Sequence, residues 1–435
     1  MGDIKGIPFN KVHFDKSGTR LDEPVVPDGT TDLVVVSHGW NNDEADAEAL
    51  YTRLFSNVAD VTRNDAAFGA RKVAILGVIW PSKRFDELMT TVDGNGEVTG
   101  GARSLGADDR AAAEQTMRDA IARAANLYDE PDDADRKAQL LALQDLVGRL
   151  QDEDADAEEE FVSTLRTVLN RGAGTVEQAD QEDSSDRLLL QAPAIVYESA
   201  KESAAAPTGT AAGAAGLKGF VSKAVNAVTN LLNLTTYFEM KQRAGTVAKN
   251  GVAPMIDELA DQVERIHLVG HSFGGRLVTA TAASSHTNKI RSMSLLQAAF
   301  SHNGFSASEH GFFRPVVSTM RVKGPILVTH TKNDKAVGLA YPAASRINRD
   351  TASGFGDADD KFGGIGSNGA LHMEDGEIST AATELLAVGG AYTLESGRIH
   401  NLKADPFIRD PQGGDAHGFV WVPEVAWAVS RAILA

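Results

Sequence analysis

The residues best suited to chemistry stand together in Arg265-Ile-His-Leu-Val-Gly-His-Ser-Phe-Gly-Gly-Arg276, where Gly270 and Gly274 lie two positions either side of Ser272. A serine on a sharp turn between strand and helix has its hydroxyl pushed out above the sheet edge, and small flanking residues let the backbone pass without collision. A serine hydroxyl is a poor nucleophile at neutral pH. It needs a base to remove its proton and an acid to hold that base in the right tautomer. The sequence contains no cysteine, which excludes a thiolate nucleophile, thiolate metal sites and disulfides.

The elements around the serine fit that turn. Ile266, Leu268 and Val269 read as a short buried strand, and Arg276 to Ala283 as the start of a helix. Upstream, the apolar run Leu33 to Val36 suits a strand buried on both faces, as in a parallel sheet. Asp43 to Ala59 has helical spacing at Leu50, Leu54 and Val58, and Val73 to Trp80 is a second buried strand closed by Pro81. Strand, helix, strand at this spacing is a parallel crossover unit. Lys11 to Asp15 reads as an edge strand, and Tyr237 to Val263 as the helix leading to the strand before Ser272. Ser292 to Ala299, Pro325 to His330 and Arg398 to Leu402 read as further strands, and Pro423 to Leu434 as the last helix, with proline early in it. Phe300 to Pro315, with His302, His310 and several Phe, reads as a loop where substrate pockets are often walled. Gly364-x-Gly366-x-x-Gly369 has the letters of a dinucleotide fingerprint, but no strand leads into it, and a surface loop is the better account.

Between Pro81 and Tyr237 lies an insertion, residues 84–236, that is helical and acidic. Met117, Ile121 and Tyr128 share a face; so do Leu140, Leu143, Val147 and Leu150, and again Phe161, Leu165 and Val168. Such stripes bury only against each other or the core, which predicts a helical cap. Seven acids in residues 151–160 read as a solvated loop or helix end. Ser199 to Gly216, rich in Ala, Ser and Gly, reads as a linker, and the stripe from Leu217 through Phe220 to Leu232 as a helix of the cap. Leaving the core after Trp80-Pro81 puts the cap at the carboxyl edge of the sheet, over Ser272. There the stripe would gate an acyl pocket, although packing within the cap is the commoner fate of such a face.

On these motifs the chain resembles the α/β-hydrolase superfamily over residues 1–83 and 237–435. The resemblance implies an α/β-hydrolase fold: a mostly parallel sheet flanked by helices, here with a large helical cap after the fourth strand. Caps of that superfamily more often follow the sixth. It implies Ser272 as nucleophile, with partners in the order Ser, acid, His. Asp334, in Thr331-Lys-Asn-Asp334 beyond the seventh strand, takes the acid position. Asn333 cannot carry the charge, and Asp357, Asp359 and Asp360 sit far from a strand end. His417 precedes the last helix, where the pattern wants the base, with His400, inside a strand, as the rival. His38-Gly39 after the third strand matches the oxyanion loop, which implies backbone N–H groups of Phe273 and Trp40, or Asn41 in its place, as oxyanion donors. His38 itself reads as a brace for that loop.

Composition narrows the function classes. A formal charge of −18, from 60 acidic and 42 basic side chains, opposes binding to phosphate backbones or anionic lipid headgroups. Nucleic acid is therefore not an expected partner. No window approaches the roughly 18 apolar residues of a membrane span, and no signal-peptide-like run follows Met1, so a soluble, cytoplasmic protein is expected. The leading reading is a serine hydrolase of carboxylic esters, acyl lipids among them, that needs no cofactor or metal. A peptidase or amidase would use the same triad, and a noncatalytic scaffold could keep the fold and hold a protein partner through the cap.

Overall fold

The computed structural model describes residues 2–40, 42–82, 107–128, 131–170, 192–202, 217–337 and 363–435. Two compact units divide the chain: residues 1–84, 240–342 and 353–435 form one, and residues 85–239 with 343–352 the other.

The first unit is an α/β layer structure. Strands β1 (Gly2–Ile4), β2 (Ile7–His13), β3 (Asp32–Ser37), β4 (Val73–Ile79), β5 (Arg265–His271), β6 (Ile290–Leu296), β7 (Ile326–His330) and β8 (Ile399–Lys403) form one sheet in the order β1-β2-β4-β3-β5-β6-β7-β8. Only β1 runs antiparallel. The edge strand is thus this three-residue hairpin arm, not the strand through Lys11, which pairs with β4 along its other side. Every residue of β3 is buried, as its apolar run requires of a strand covered on both faces.

Helix α1 (Glu44–Val61) starts at Asp43, whose side chain caps the Asp46 N–H while Asp46 returns a bond to the Asp43 N–H. Its Tyr51, Leu54, Phe55 and Val58 pack with Val34, Ile75 and Val269 of the sheet and Val425 and Val429 of the last helix, Pro423–Leu434. The order of strands reverses at the centre: the chain leaves β3 for β4 on one side and returns to β5 on the other. The segments after β3 and β5 therefore emerge side by side at the carboxyl edge, where the strand order reverses.

The second unit is helical. Helices Ala107–Ala125, Ala134–Ala142, Ala155–Asn170 and Pro193–Glu202 bury Met117, Ile121, Leu140, Phe161 and Leu165. Arg136 is buried among them and is held by Glu239 at 2.6 Å and by the Tyr128 ring. The acidic stretch forms a turn and the first turns of Ala155–Asn170, where carboxylates suit the positive end of the helix.

Further sequence expectations are corrected. The stripe after Leu217 and the helix after Tyr237 are one 31-residue helix, α2 (Leu217–Val247), because neither Gly nor Pro interrupts residues 230–240. Residues up to Glu239 belong to the helical unit and the rest to the sheet unit. Val228, Leu231 and Leu232 are buried, whereas the side chains of Leu217, Phe220 and Val221 lie outside the described residues, as do residues 203–216 of the expected linker. Second, α2 does not run unbroken to Val263. It widens into a π turn at Ala248–Val252, where a Cβ on Gly251 would stand 2.5 Å from the Gly18 carbonyl oxygen. Third, Gly363 to Ser367 are buried rather than on the surface: Gly366 packs against the Gln297 backbone, and its N–H donates to the Ala298 carbonyl at 3.1 Å. The Phe300 segment is likewise packed, with Phe300, Phe305 and Phe313 stacked edge to face and the buried Arg276 guanidinium over Phe313. No described helix is long and apolar enough to cross a membrane.

Candidate functional site

Ser272 links β5 to the helix Phe273–Ser284, labelled α3, and holds φ 57° and ψ −125°. A serine in that region costs roughly 1 to 3 kcal/mol and persists only where its surroundings dictate it. They do. Its N–H donates to the Leu296 carbonyl at 3.1 Å, and its own carbonyl accepts from Gly275 at 2.9 Å and Ala299 at 3.0 Å. The flanking glycines are required by close approach: a Cβ on Gly270 would stand 2.3 Å from the Gly274 carbonyl oxygen, and one on Gly274 would stand 2.2 Å from that of Ser37. The end of β3 thus passes directly against the start of α3.

The other residues of that edge gather beside the serine. His417 Nδ1–H donates to Asp334 Oδ2 at 2.8 Å, and Asp334 Oδ1 accepts the Val337 N–H at 2.8 Å. Asp334 is fully buried, while the His417 side chain keeps 19% of its surface exposed. Two bonds join the acid and base loops, and a third braces the base loop internally. The Ala416 N–H donates to the Asn333 carbonyl at 3.1 Å, the Lys335 N–H to Asp415 Oδ1 at 2.8 Å, and the His417 N–H to the same oxygen at 3.1 Å. Burial disfavours the imidazolium, but the charges of Asp334 and Asp415 and the Asp334 hydrogen bond outweigh it, and His417 titrates above its usual value.

The β3 loop also lies against Ser272. Gly39 is so close that a Cβ there would stand 2.5 Å from Ser272 Cβ. The Trp40 ring meets the Phe273 ring edge to face at 6.0 Å. Phe273 is the first residue of α3, so its N–H points out of the positive end of the helix. Asn41 lies outside the described residues, and Asn42 Nδ2 donates to the carbonyls of Gly39 and Trp40 at 3.2 and 3.0 Å. His38 is buried within the loop: its N–H donates to Tyr51 Oη at 2.8 Å, its ring stacks on Trp80, and desolvation pushes its pKa down to about 4.

The structure brings Asp334 and His417 together, and Gly39 against Ser272. Among the described residues no hydrogen bond joins Ser272 Oγ to His417. What connects them is His271, missed in the sequence although it stands inside the motif: its Nε2 lies 2.9 Å from the His417 carbonyl oxygen and its ring centroid 4.8 Å from that of His417. His400 is elsewhere. It pairs with Leu327 in the sheet, three residues or about 10 Å below the edge marked by His330 and Lys403, and its Nε2 accepts the Glu395 N–H at 3.0 Å.

A second Ser-His-Asp set, also unread in the sequence, spans the amino end of the sheet. Asp32 Oδ1 lies 3.2 Å from His267 Nε2, and His267 Nδ1 lies 2.8 Å from Ser292 Oγ. All three side chains are buried, and Arg71 and Arg265 pair with Asp32 at 3.1 and 3.3 Å. Desolvation keeps His267 below its usual pKa and therefore neutral, so its Nε2–H donates to Asp32 and Ser292 donates to Nδ1. With no strained turn and no access for a substrate, this set is a staple across β3, β5 and β6.

No family model matches this chain, and no curated protein or solved structure matches it either.

Proposed function

We propose that the chain is a serine hydrolase of carboxylic esters, with the sheet unit as an α/β-hydrolase fold and the helical unit as its cap. The observation that carries this reading is Ser272 held at φ 57° on the strand-to-helix turn, at the same sheet edge as the bonded Asp334–His417 pair. Ser272 Oγ attacks the ester carbonyl while His417 Nε2 takes its proton, and Asp334 holds Nδ1–H and stabilises the imidazolium that forms. The N–H groups of Phe273 and Trp40 receive the tetrahedral oxyanion, each donor contributing about 3 to 4 kcal/mol. His417 then protonates the leaving alkoxide, and water enters by the same base to release the acid from Ser272. The Ser272–His417 hydrogen bond forms when substrate binds, as catalytic bonds that are open in the free enzyme often do.

A fluorophosphonate probe tests the reading. Wild type should be labelled at one site and the Ser272→Ala variant not at all, with hydrolysis of a graded series of nitrophenyl esters lost in parallel. A folded wild-type protein that takes no label and cleaves no ester is a scaffold, and the proposal fails.

A further inference from the structure

We propose that His271 is a positioning residue for the base, its Nε2–H holding the His417 backbone so that the imidazole is presented to Ser272. This rests on the serine-hydrolase reading. His271 is the last residue of β5 and the direct neighbour of Ser272, so a bond from its ring ties the nucleophile turn to the base loop. The other bonds that fix His417, through Asn333, Lys335, Asp415 and Asp334, all run to the acid loop or within its own. They set the base relative to the acid and leave its distance from the serine unset. His271 supplies that missing constraint.

The chemistry of the ring suits the task. The carbonyl at 2.9 Å can only accept, so Nε2 carries the proton, and Nδ1 is a lone pair that is buried without a hydrogen-bond partner. Desolvation and the neighbouring His417 push the His271 pKa down to about 3. It therefore stays a neutral donor while His417 cycles between imidazole and imidazolium. A cationic ring 4.8 Å from the base would oppose its protonation, so neutrality here preserves the proton-transfer step. The titratable groups facing His417 are Asp334, Asp415 and His271 itself.

The test uses the full chain. His271→Phe keeps a ring of similar size and loses the donor; His271→Gln restores an N–H at similar reach. We expect His271→Phe to slow both fluorophosphonate labelling and kcat by about 10- to 100-fold with KM within about twofold, since a shift of about 1 Å costs on the order of 10². The midpoint of its pH profile should stay above the ordinary histidine value, because the bond from His417 to Asp334 does not depend on His271. His271→Gln should recover to within about fivefold of wild type. Labelling of His271→Phe at the wild-type rate, or equal impairment of the two variants, overturns the proposal. Should the Phe variant not fold, nitrogen-15 spectra of the unaltered protein decide: a neutral Nε2–H tautomer for His271 at pH 7 supports it, and an Nδ1–H tautomer or imidazolium refutes it. A wild-type chain that resists the probe refutes the hydrolase reading instead, so the two failures are distinct.

Discussion

Gly39→Ala is the most direct test of how tightly the β3 loop is set against the nucleophile. A Cβ at residue 39 would stand 2.5 Å from Ser272 Cβ, 3.1 Å from Ser272 Oγ and 3.1 Å from the His271 carbonyl oxygen. Carbon atoms in contact prefer about 3.5 Å or more, so the serine and the loop must separate by about 1 Å. Gly39 does not use the left-handed backbone region, so alanine meets only this steric objection. One ångström at a reacting centre costs on the order of 10² in rate, which corresponds to about 2.7 kcal/mol of transition-state stabilisation. On the proposed mechanism the displacement also moves the Trp40 N–H away from the oxyanion. The measurement is kcat/KM on nitrophenyl acetate together with the fluorophosphonate labelling rate and a thermal melt. Gly69→Ala, where a Cβ meets nothing within 4 Å, is the control and should leave the kinetics unchanged. A Gly39→Ala protein with kcat/KM within about threefold of wild type and an unchanged melt would show that the loop is not packed on the nucleophile, and the oxyanion assignment would go with it.

Ser272→Ala and His417→Ala should each lower turnover by on the order of 10⁴ or more, with the double variant little worse, because the two act as one unit; His400→Ala should instead lower the melting temperature and leave kcat in range. Since Asp334 and Asp415 raise His417 above 6.5, kcat/KM should rise with pH through a midpoint above that value, and a midpoint below 6.5 refutes the coupling. By the same sign, the stability that this pairing contributes is complete below 6.5 and is lost as pH rises through the folded value. Ser292→Ala should be labelled by the probe as wild type is, whereas Asp32→Ala, which strands the buried His267 and its two arginines, should cost about 3 kcal/mol of stability in a urea titration. Hydrogen bonds to Asp32 outweigh its desolvation and lower its pKa, so the stability it contributes is present above the ordinary carboxylate value and is lost as pH falls through the folded one.

Parts of this fold were legible because they are local. The helical spacing of α1, the apolar run of β3 and the Gly-Ser-Gly turn each write their geometry into a few nearby residues. What was not legible depends on contacts between distant segments. Nothing near Gly366 signals that it will lie on the Gln297 backbone, and its glycine-rich context imitates a surface loop. The 31 residues of α2 carry two apolar stripes, which read as two helices until the uninterrupted backbone is seen.

The two Ser-His-Asp sets make the same point about chemistry. Ser292, His267 and Asp32 come from three strands that are neighbours only in the folded sheet, so no sequence spacing announces them, yet their hydrogen bonds run unbroken from hydroxyl to carboxylate. Ser272 lacks a direct bond to its base. Bonding alone would therefore choose the wrong serine. The distinction lies in what surrounds each one. Ser292 sits within β6, paired with His267 of β5 and buried, where its hydroxyl only satisfies a neutral histidine. Ser272 sits past a strand end, at the point where the strand order reverses, in a backbone conformation that the sheet must force on it. Strain of that kind persists where the neighbours over-determine it, and here they also supply a helix N-terminus and a buried carboxylate. The proposal places ester hydrolysis at Ser272 on that ground, and labelling of Ser292 in place of Ser272 would reverse it.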